Sequence, residues 1–166
     1  SRGIGREVAL HLLANDNHVL AVARDHEQLM SLSEDSKGTG ELITLCADMA
    51  DPKSISRIKT AVGGRGVRAL VHNAGLLHVR PIGGHQRNEL EELYRVNVFA
   101  PLELSQALVD ELKGEPPGHI VHIGSMGGFQ DSAKFPGLIA YSASKAALAC
   151  MAQCMAEEFK EIGIRS

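Results

Sequence analysis

His18-Val19-Leu20-Ala21-Val22-Ala23 is a short aliphatic run that follows a stretch of helical period, Gly5 to Ala14. Three more runs of similar length and composition occur further along the chain, at 42–46, 67–72 and 119–123. Short runs rich in Val, Ile and Leu are typical of parallel strands that are covered on both faces. Stretches of helical period separate or follow these runs, at 25–32, 54–61, 86–112 and 140–162. The alternation predicts an α/β fold with a parallel sheet and right-handed crossovers.

The composition of the 166 residues is that of an ordinary globular domain with room for its own core. Tryptophan is absent and aromatic residues make up only 4% of the chain, so we expect an aliphatic core. The net charge is −3, with acids and bases interspersed, and the chain has no basic stripe that would favour nucleic acid. It also has no apolar run of membrane-spanning length and no visible signal peptide. We therefore expect a cytoplasmic protein that binds neither nucleic acid nor membrane.

The histidines and cysteines show no metal-binding spacing, so we expect no metal site. The three cysteines form no Cys-x-x-Cys pair, which agrees with a reducing compartment. Cys150 and Cys154 stand four residues apart in the last predicted helix. We expect both to be small buried apolar residues.

Tyr141 and Lys145 also stand four residues apart in the last predicted helix, so their side chains share one face. A phenol with a pKa of about 10 is a poor proton donor to an alkoxide at neutral pH. Lowering that pKa to about 7 requires about 4 kcal/mol. One cation roughly 4 Å away supplies an interaction energy of that size at an effective dielectric constant of about 20. The pair therefore predicts a general acid, Tyr141, that is activated by Lys145.

Gly3-Ile4-Gly5 opens the first predicted helix. Glycines at such a turn allow backbone N–H groups and the helix dipole to face a pyrophosphate. The motif alone is weak evidence, because glycines are common near helix starts. Its position at the head of the strand and helix alternation favours a dinucleotide site.

Taken in order, these motifs resemble the short-chain dehydrogenase/reductase family, which binds NAD(P) on a Rossmann fold. Ser1-Arg2-Gly3-Ile4-Gly5 is similar to the end of the family's glycine-rich loop, and Asn73-Ala74-Gly75 is similar to its Asn-Ala-Gly motif. Asp48 stands where the family has an aspartate near the adenine. The resemblance covers the whole chain and implies one domain over residues 1–166, a Rossmann-like doubly wound parallel sheet in three α/β/α layers. It also implies that the first strand and the C-terminal substrate-loop region lie outside the sequence.

The resemblance implies an NADP(H)-dependent oxidoreductase that interconverts a carbonyl and a secondary alcohol by hydride transfer. Tyr141 would be the general acid or base, and Lys145 would lower its pKa and bind the nicotinamide ribose. Ser125 would hold the substrate oxygen, and Asn97 would anchor a water that links Lys145 to solvent. The cofactor-binding residues implied are Ser1, Arg2, Gly3, Ile4, Gly5, Arg24, Asp48, Asn73, Ala74 and Gly75, together with Tyr141 and Lys145.

Several of these residues also have simpler interpretations. Ser125 and Asn73 can serve as turn residues, Asn97 as an amide on a helix surface, and Asp48 as a cap for the turn and helix that follow. Ser125 and Tyr141 are sixteen positions apart, a few more than the family usually shows, which predicts a small insertion over 126–140. Ser132, inside that segment, is therefore a second candidate for the catalytic serine.

The choice between the two nicotinamide cofactors depends on the end of the first predicted strand. NAD-preferring relatives place an acid there, which accepts hydrogen bonds from the ribose 2′-hydroxyl. This chain has Ala23 and then Arg24, and an arginine can hold a 2′-phosphate with two parallel bonds. Arg2 adds a second cation, so NADP(H) is favoured. Asp25 comes next, and a misalignment by one residue would favour NAD(H) instead.

The sequence also bears on the role of His72, on the oligomeric state and on rival functions. His72 stands where the family often has asparagine, and we expect a strand-end residue rather than a catalyst. The helices at 86–112 and 140–162 carry more apolar residues than one covered face requires, and the resemblance implies a homodimer or homotetramer through them. The rival functions are a dinucleotide-binding sensor without catalysis and an epimerase or dehydratase of the extended branch.

Overall fold

The computed structural model describes residues 2–166, which divide into one compact unit that ends at Gly63 and another that begins at Gly64. The first unit contains α1 (Gly3–Ala14), β1 (Val19–Ala23), α2 (His26–Asp35), β2 (Leu42–Cys46) and α3 (Lys53–Val62). β1 and β2 pair in parallel, with Val19 opposite Leu42 and Ala23 opposite Cys46. The ends of the two strands, and the residues that follow them, therefore lie at the same edge.

Local signals in the sequence set the helix ends of the first unit. α2 begins after Asp25, whose carboxylate accepts a hydrogen bond from the Gln28 N–H at 3.0 Å. This is the usual N-cap arrangement, because the first backbone N–H groups of a helix lack internal partners. α3 ends at Val62, and its C-cap residue Gly63 takes up the left-handed conformation (φ 62°) that glycine adopts without steric cost.

The second unit contains two strands, three α-helices and a π turn before its longest helix. They are β3 (Ala69–His72), α4 (Arg87–Tyr94), a π turn (Arg95–Phe99), α5 (Ala100–Ala107), α6 (Val109–Leu112) and β4 (His119–His122). A 3-10 turn (Met126–Gly128), α7 (Ile139–Phe159) and a second 3-10 turn (Lys160–Ile162) follow. β3 and β4 pair in parallel with His72 opposite His122, so Asn73 and Ile123 leave the sheet at the same edge.

The predicted strands are confirmed in place, and the largest boundary difference is two residues, at the start of β3. The predicted helices at 5–14, 25–32, 54–61 and 140–162 are also confirmed in place. The prediction of one continuous helix over 86–112 is wrong. Its middle is the π turn, where the Asn97 side chain bonds to the backbone of Leu76, and Leu108 (φ −107°, ψ 14°) separates α5 from α6.

The core is aliphatic, as the composition predicts: its buried hydrophobic side chains are those of Leu, Ile, Val, Ala and Met. The prediction that Cys150 and Cys154 are buried is wrong, since both are exposed. α7 buries a face that includes Ser144 and Leu148, and Cys150 lies two residues past Leu148, which is roughly 200° around the helix. Among residues 2–166, no helix combines the length and apolarity that crossing a membrane requires.

Candidate active site

Lys145 lies at the centre of the candidate site, where α7 meets the edge of the β3–β4 sheet. Its side chain is buried at 4% exposure, and its Nζ donates a hydrogen bond to the Ile123 carbonyl at 2.7 Å. A Cβ atom built on Gly75 would lie 3.6 Å from Lys145 Nζ and 3.7 Å from Asn97 Oδ1. Lys145, Asn97 and the Asn73-Ala74-Gly75 segment are therefore brought together. Burial lowers the pKa of the Lys145 ammonium below its usual value.

Asn97 is completely buried, so its interpretation as an amide on the helix surface is wrong. Its Oδ1 accepts from the Leu76 N–H at 2.8 Å, and its Nδ2 donates to the Leu76 carbonyl and to Ser144 Oγ, both at 2.9 Å. Both N–H groups of the amide are thus used within the protein. The side chain fastens the π turn to the residue after Gly75.

Tyr141 lies in the first turns of α7, one helical turn before Lys145, as the spacing predicts. Its side chain is half-buried, and its backbone carbonyl accepts a hydrogen bond from Ser144 Oγ at 2.7 Å. The residue as a whole is partly exposed rather than enclosed in the core. The structure therefore places Tyr141 and Lys145 on one helix.

Ser125 follows β4 in extended conformation (φ −154°) and is the residue before the Met126–Gly128 turn. This turn packs closely on α7, because a Cβ atom on Gly127 would lie 2.8 Å from Ser142 Oγ and one on Gly128 would lie 2.8 Å from the Lys145 carbonyl carbon. Side chains at these positions would collide with α7. The two glycines therefore allow Ser125 to stand next to the helix that carries Tyr141 and Lys145.

Ser132, the second candidate for the catalytic serine, is used inside its own loop. Its hydroxyl contacts the carbonyls of Met126 and Phe129, the second at 2.9 Å. The Ser125 hydroxyl, in contrast, has no protein partner among the described residues, and it follows a strand end. The geometry favours Ser125.

The sequence analysis missed the organising residue of the 126–138 loop, which is Lys134. Its Nζ donates to the Gly127 carbonyl and to Ser132 Oγ, each at 3.0 Å, and also contacts the Phe129 carbonyl. Two of these three acceptors are backbone carbonyls. Every residue type has a backbone carbonyl, so the sequence gives no sign of such bonds. The loop length was the only sign that this segment differs from the family pattern.

His72 is buried at the end of β3, with its Nε2 2.9 Å from Ser105 Oγ. Its ring stacks on that of His122, with 5.0 Å between the ring centroids. Burial, and then the neighbouring His122, lower the pKa of His72 to about 3, while burial and Lys145 lower the pKa of His122. His72 is thus a neutral packed residue near pH 7, which agrees with the expectation of a strand-end residue.

The glycine-rich segment in the first unit forms the first turn of α1. Gly3, Ile4 and Gly5 belong to this turn, Arg2 is the N-cap residue, and the turn carries no acidic side chain. Gly3 has a positive φ of 55°, which glycine tolerates better than other residues. The free N–H groups of this turn suit a phosphate. Ser1 was also predicted to bind cofactor, and it lies outside the described residues.

The residues that bear on cofactor choice lie after β1 and β2 of the same unit. β1 ends at Ala23, so Arg24 is the first residue past the strand. Asp25 uses its carboxylate as the cap of α2. Arg24 and Asp48 lie 3.7 Å apart, both partly exposed, and Asp48 also accepts from the Ala50 N–H at 2.9 Å. Asp48 therefore has the turn-capping role that the sequence analysis considered.

Comparison with known proteins decides the family. A family model described as short chain dehydrogenase matches residues 1–166. The chain belongs to the short-chain dehydrogenase family. A short-chain oxidoreductase from a metagenome, solved in complex with NADP, superposes with a TM-score of 0.88 and 30% identity over 99% of this chain and 74% of that one. The Rossmann-like α/β fold predicted from the sequence is confirmed.

Two curated short-chain dehydrogenase relatives illustrate the range of similar proteins. The NADPH carbonyl reductase 2 of Sus scrofa is 31% identical over 166 residues, which cover 99% of this chain and 64% of the relative. A very-long-chain 3-oxoacyl-CoA reductase of Phaeosphaeria nodorum is 32% identical over 172 residues, which cover 99% of this chain and 50% of the relative. The chain therefore spans less than two thirds of the length of either relative.

Proposed function

We propose that the complete protein is an NADP(H)-dependent oxidoreductase that interconverts a carbonyl and a secondary alcohol. The observation that carries the proposal is the position of Lys145, which is held by the Ile123 carbonyl beside Gly75 and one helical turn from Tyr141. A buried ammonium one helical turn from a partly exposed tyrosine is an arrangement suited to proton transfer. The cofactor, when bound, supplies or accepts the hydride.

Each residue of the site then has a role in reduction. The Ser125 hydroxyl, which has no protein partner among the described residues, donates a hydrogen bond to the substrate oxygen. The Tyr141 hydroxyl gives its proton to that oxygen as the hydride reaches the carbonyl carbon, and Lys145 stabilises the phenolate that remains. Oxidation of an alcohol reverses these transfers. Asn73, Ala74 and Gly75 line the same edge of the sheet and would contact the cofactor.

NADP(H) is the favoured cofactor, with NAD(H) as the alternative. Arg24 follows β1 directly, and Asp25, the acid that would favour NAD(H), is already bonded to the N–H of Gln28. Arg2, at the N-cap of α1, adds a second cation, and the first turn of this helix has no acid that would repel a phosphate. A similar solved structure contains NADP, and a similar curated enzyme is named for NADPH.

The surroundings of Ser125 and Tyr141 favour an apolar carbonyl substrate. Two loops of the second unit are joined by a hydrogen bond from the Arg80 N–H to the Gly137 carbonyl at 2.9 Å. They expose Leu77, Val79, Met126, Phe129 and Phe135, and Ile139 is exposed at the start of α7. The Arg80 guanidinium in this region pairs with Glu89, and Lys134 is held by its own loop. These apolar side chains would contact a hydrocarbon part of the substrate better than a polyol.

A homodimer or homotetramer is part of the proposal. Phe99 and Leu102 are exposed near the π turn. α7 exposes a stripe of small residues at helical spacing, Ala143, Ala146, Cys150 and Cys154. Such a stripe allows another helix to approach closely. Light scattering on the complete protein would give the mass of the particle, and a monomer at micromolar concentration would contradict this assembly.

The proposed activity is tested by Tyr141→Phe in the complete protein, with Tyr94→Phe as the matched control. Tyr94 is the other tyrosine of the chain, half-buried in α4. We expect Tyr141→Phe to lower kcat for an apolar ketone with NADPH by about 100-fold or more, since general acid catalysis contributes roughly that much. NADPH affinity should stay within about threefold, and Tyr94→Phe should retain activity. Full activity of Tyr141→Phe would overturn the proposal.

The alternative of a sensor without catalysis gives a different result in the same assay. The wild-type protein would then bind NADPH but oxidise it with none of the carbonyl compounds. An epimerase or dehydratase would convert its substrate without net consumption of NADPH.

A further inference from the structure

Ser144 connects Tyr141 to Asn97 through a single buried hydroxyl. Its side chain is completely buried, and its Oγ lies 2.7 Å from the Tyr141 carbonyl and 2.9 Å from Asn97 Nδ2. We propose that Ser144 is a positioning residue that fixes the first turns of α7 against the π turn. This inference rests on the proposed function, because it concerns where Tyr141 and Lys145 stand.

The donors and acceptors of this network allow only one arrangement. The Ser144 hydroxyl has one proton, which it donates to the Tyr141 carbonyl, so it must accept from Asn97. The remaining N–H of Asn97 goes to the Leu76 carbonyl, and its Oδ1 accepts from the Leu76 N–H. A flipped Asn97 amide would set Nδ2 against the Leu76 N–H, donor against donor. The connected order is therefore Leu76, Asn97, Ser144 and the Tyr141 backbone.

This order links α7 to the segment that follows β3. Leu76 directly follows Asn73-Ala74-Gly75, and Lys145 directly follows Ser144. Lys145 Nζ reaches the Ile123 carbonyl at 2.7 Å, a distance with little slack for movement of the helix. Ser144 thus holds the backbone of the residue pair that we propose for catalysis. It touches neither the substrate nor the cofactor in this role.

Loss of the hydroxyl leaves an Asn97 N–H without an acceptor in a place that water does not reach. A buried donor without a partner is unfavourable, so the amide or α7 must move to find one. Movement of α7 displaces Tyr141 and Lys145 relative to Gly75. We therefore expect kcat to fall even under conditions in which the variant is fully folded.

Ser105 provides the control for the general effect of removing a buried hydroxyl. This serine is also completely buried in the second unit, and its Oγ bonds to His72 Nε2 at 2.9 Å. Its hydroxyl makes no bond to Asn97, Tyr141 or Lys145. Ser105→Ala therefore removes a comparable buried hydroxyl outside the network.

The experiment compares Ser144→Ala, Ser144→Thr and Ser105→Ala in the complete protein, with kcat, KM for NADPH, the pH profile of kcat and Tm as readouts. We expect Ser144→Ala to lower kcat by about tenfold or more, because small misplacements of catalytic groups are costly. The pH profile of its kcat should differ from that of wild type, since Tyr141 and Lys145 would move relative to Gly75. Ser144→Thr keeps the hydroxyl and should recover most of kcat. Ser105→Ala should lower Tm while it keeps the wild-type profile.

A folded Ser144→Ala variant with wild-type kcat and pH profile would overturn the inference. If that variant does not fold, Ser144→Cys, which has nearly the same volume and a much weaker hydrogen-bonding group, supplies the same readouts with the same criterion. Tyr141→Phe separates the two proposals. If it is inactive while Ser144→Ala behaves as wild type, only the positioning role fails; if Tyr141→Phe is fully active, the proposed function fails.

Discussion

Lys145 Nζ lies 2.7 Å from the carbonyl oxygen of Ile123, the residue that leads from β4 towards Ser125. The bond joins the strand that delivers the proposed substrate-binding serine to the helix that delivers the proposed acid. A positive charge held in this way, with little exposure to solvent, is oriented before any ligand arrives. The first prediction concerns the removal of this charge.

Lys145→Met keeps the length of the side chain but removes the ammonium. We expect kcat with NADPH to fall by about 100-fold or more, since both acid–base catalysis and ribose binding lose a partner. Steady-state kinetics and a thermal melt of the complete protein measure the effect. Lys113→Met is the control, because the Lys113 ammonium pairs with Asp110 at 3.4 Å and the residue is exposed. Equal losses in both variants would contradict the role of Lys145.

Arg24→Ala tests the choice of cofactor. We expect NADPH affinity to fall by about tenfold or more, because a charge-assisted contact with the 2′-phosphate is lost, while NADH affinity changes little. Binding titrations with both nucleotides measure the difference.

Asp25→Asn is the matched variant for the neighbouring position. Asparagine caps a helix as well as aspartate, so α2 should be retained while the charge disappears. The preference for NADPH should therefore stay as in wild type. A clear gain of NADPH preference would show that Asp25, rather than Arg24, is the deciding residue.

Gly128→Ala tests the close approach of the Met126–Gly128 turn to α7. The added Cβ would lie 2.8 Å from the Lys145 carbonyl carbon and 2.9 Å from the Ala146 nitrogen, so backbone must shift. We expect a loss of about 1–3 kcal/mol in the free energy of unfolding and a lower kcat. Gly66→Ala is the control, because nothing lies within 4 Å of its Cβ position. Urea denaturation compares the two, and an unchanged Gly128→Ala would contradict the geometry.

The buried His72 predicts how the free energy of unfolding depends on pH. Its pKa is about 3 in the folded protein and 6.5 as an ordinary value, so below pH 6.5 the unfolded chain takes up a proton that the folded chain does not. The contribution of neutral His72 to the free energy of unfolding is therefore present above pH 6.5. It is lost as the pH falls, by about 2 kcal/mol at pH 5. The neighbouring His122 also opposes the protonation of His72, and Lys145 in turn opposes that of His122.

Urea denaturation at neutral pH and near pH 5 measures this loss. His72→Asn should lose less stability than wild type between the two pH values, whereas the exposed His26→Asn should behave as wild type. A His72→Asn variant with the full pH dependence would contradict the assignment to His72.

The strands could be predicted because their signals are local: aliphatic runs of strand length marked β1 to β4. The cap of α2 was not predicted, because Asp25 was placed inside the predicted helix at 25–32. The π turn could not be predicted, since Arg95–Phe99 continues the apolar pattern of the helices around it. Within it Asn97 bonds to Leu76, and these two residues are 21 positions apart and carry no pairing signal in one sequence.

The residue types of the candidate site could be predicted, but the contacts that hold these residues in place could not. Tyr141, Lys145 and Ser125 followed from spacing and from the family resemblance. The bond from Ser144 to the Tyr141 carbonyl has a local three-residue spacing that was overlooked. Its contact with Asn97, the packing of Gly128 and the stack of His72 on His122 depend on tertiary geometry.

The exposed thiols of Cys150 and Cys154 make α7 a convenient place for spectroscopic labels. Cys46 is exposed as well, so its replacement by serine would leave Cys150 and Cys154 as the two thiols of this sequence that a maleimide fluorophore or spin label can modify. A label there sits more than two helical turns from Tyr141 and would report whether a neighbouring copy covers the stripe of small residues.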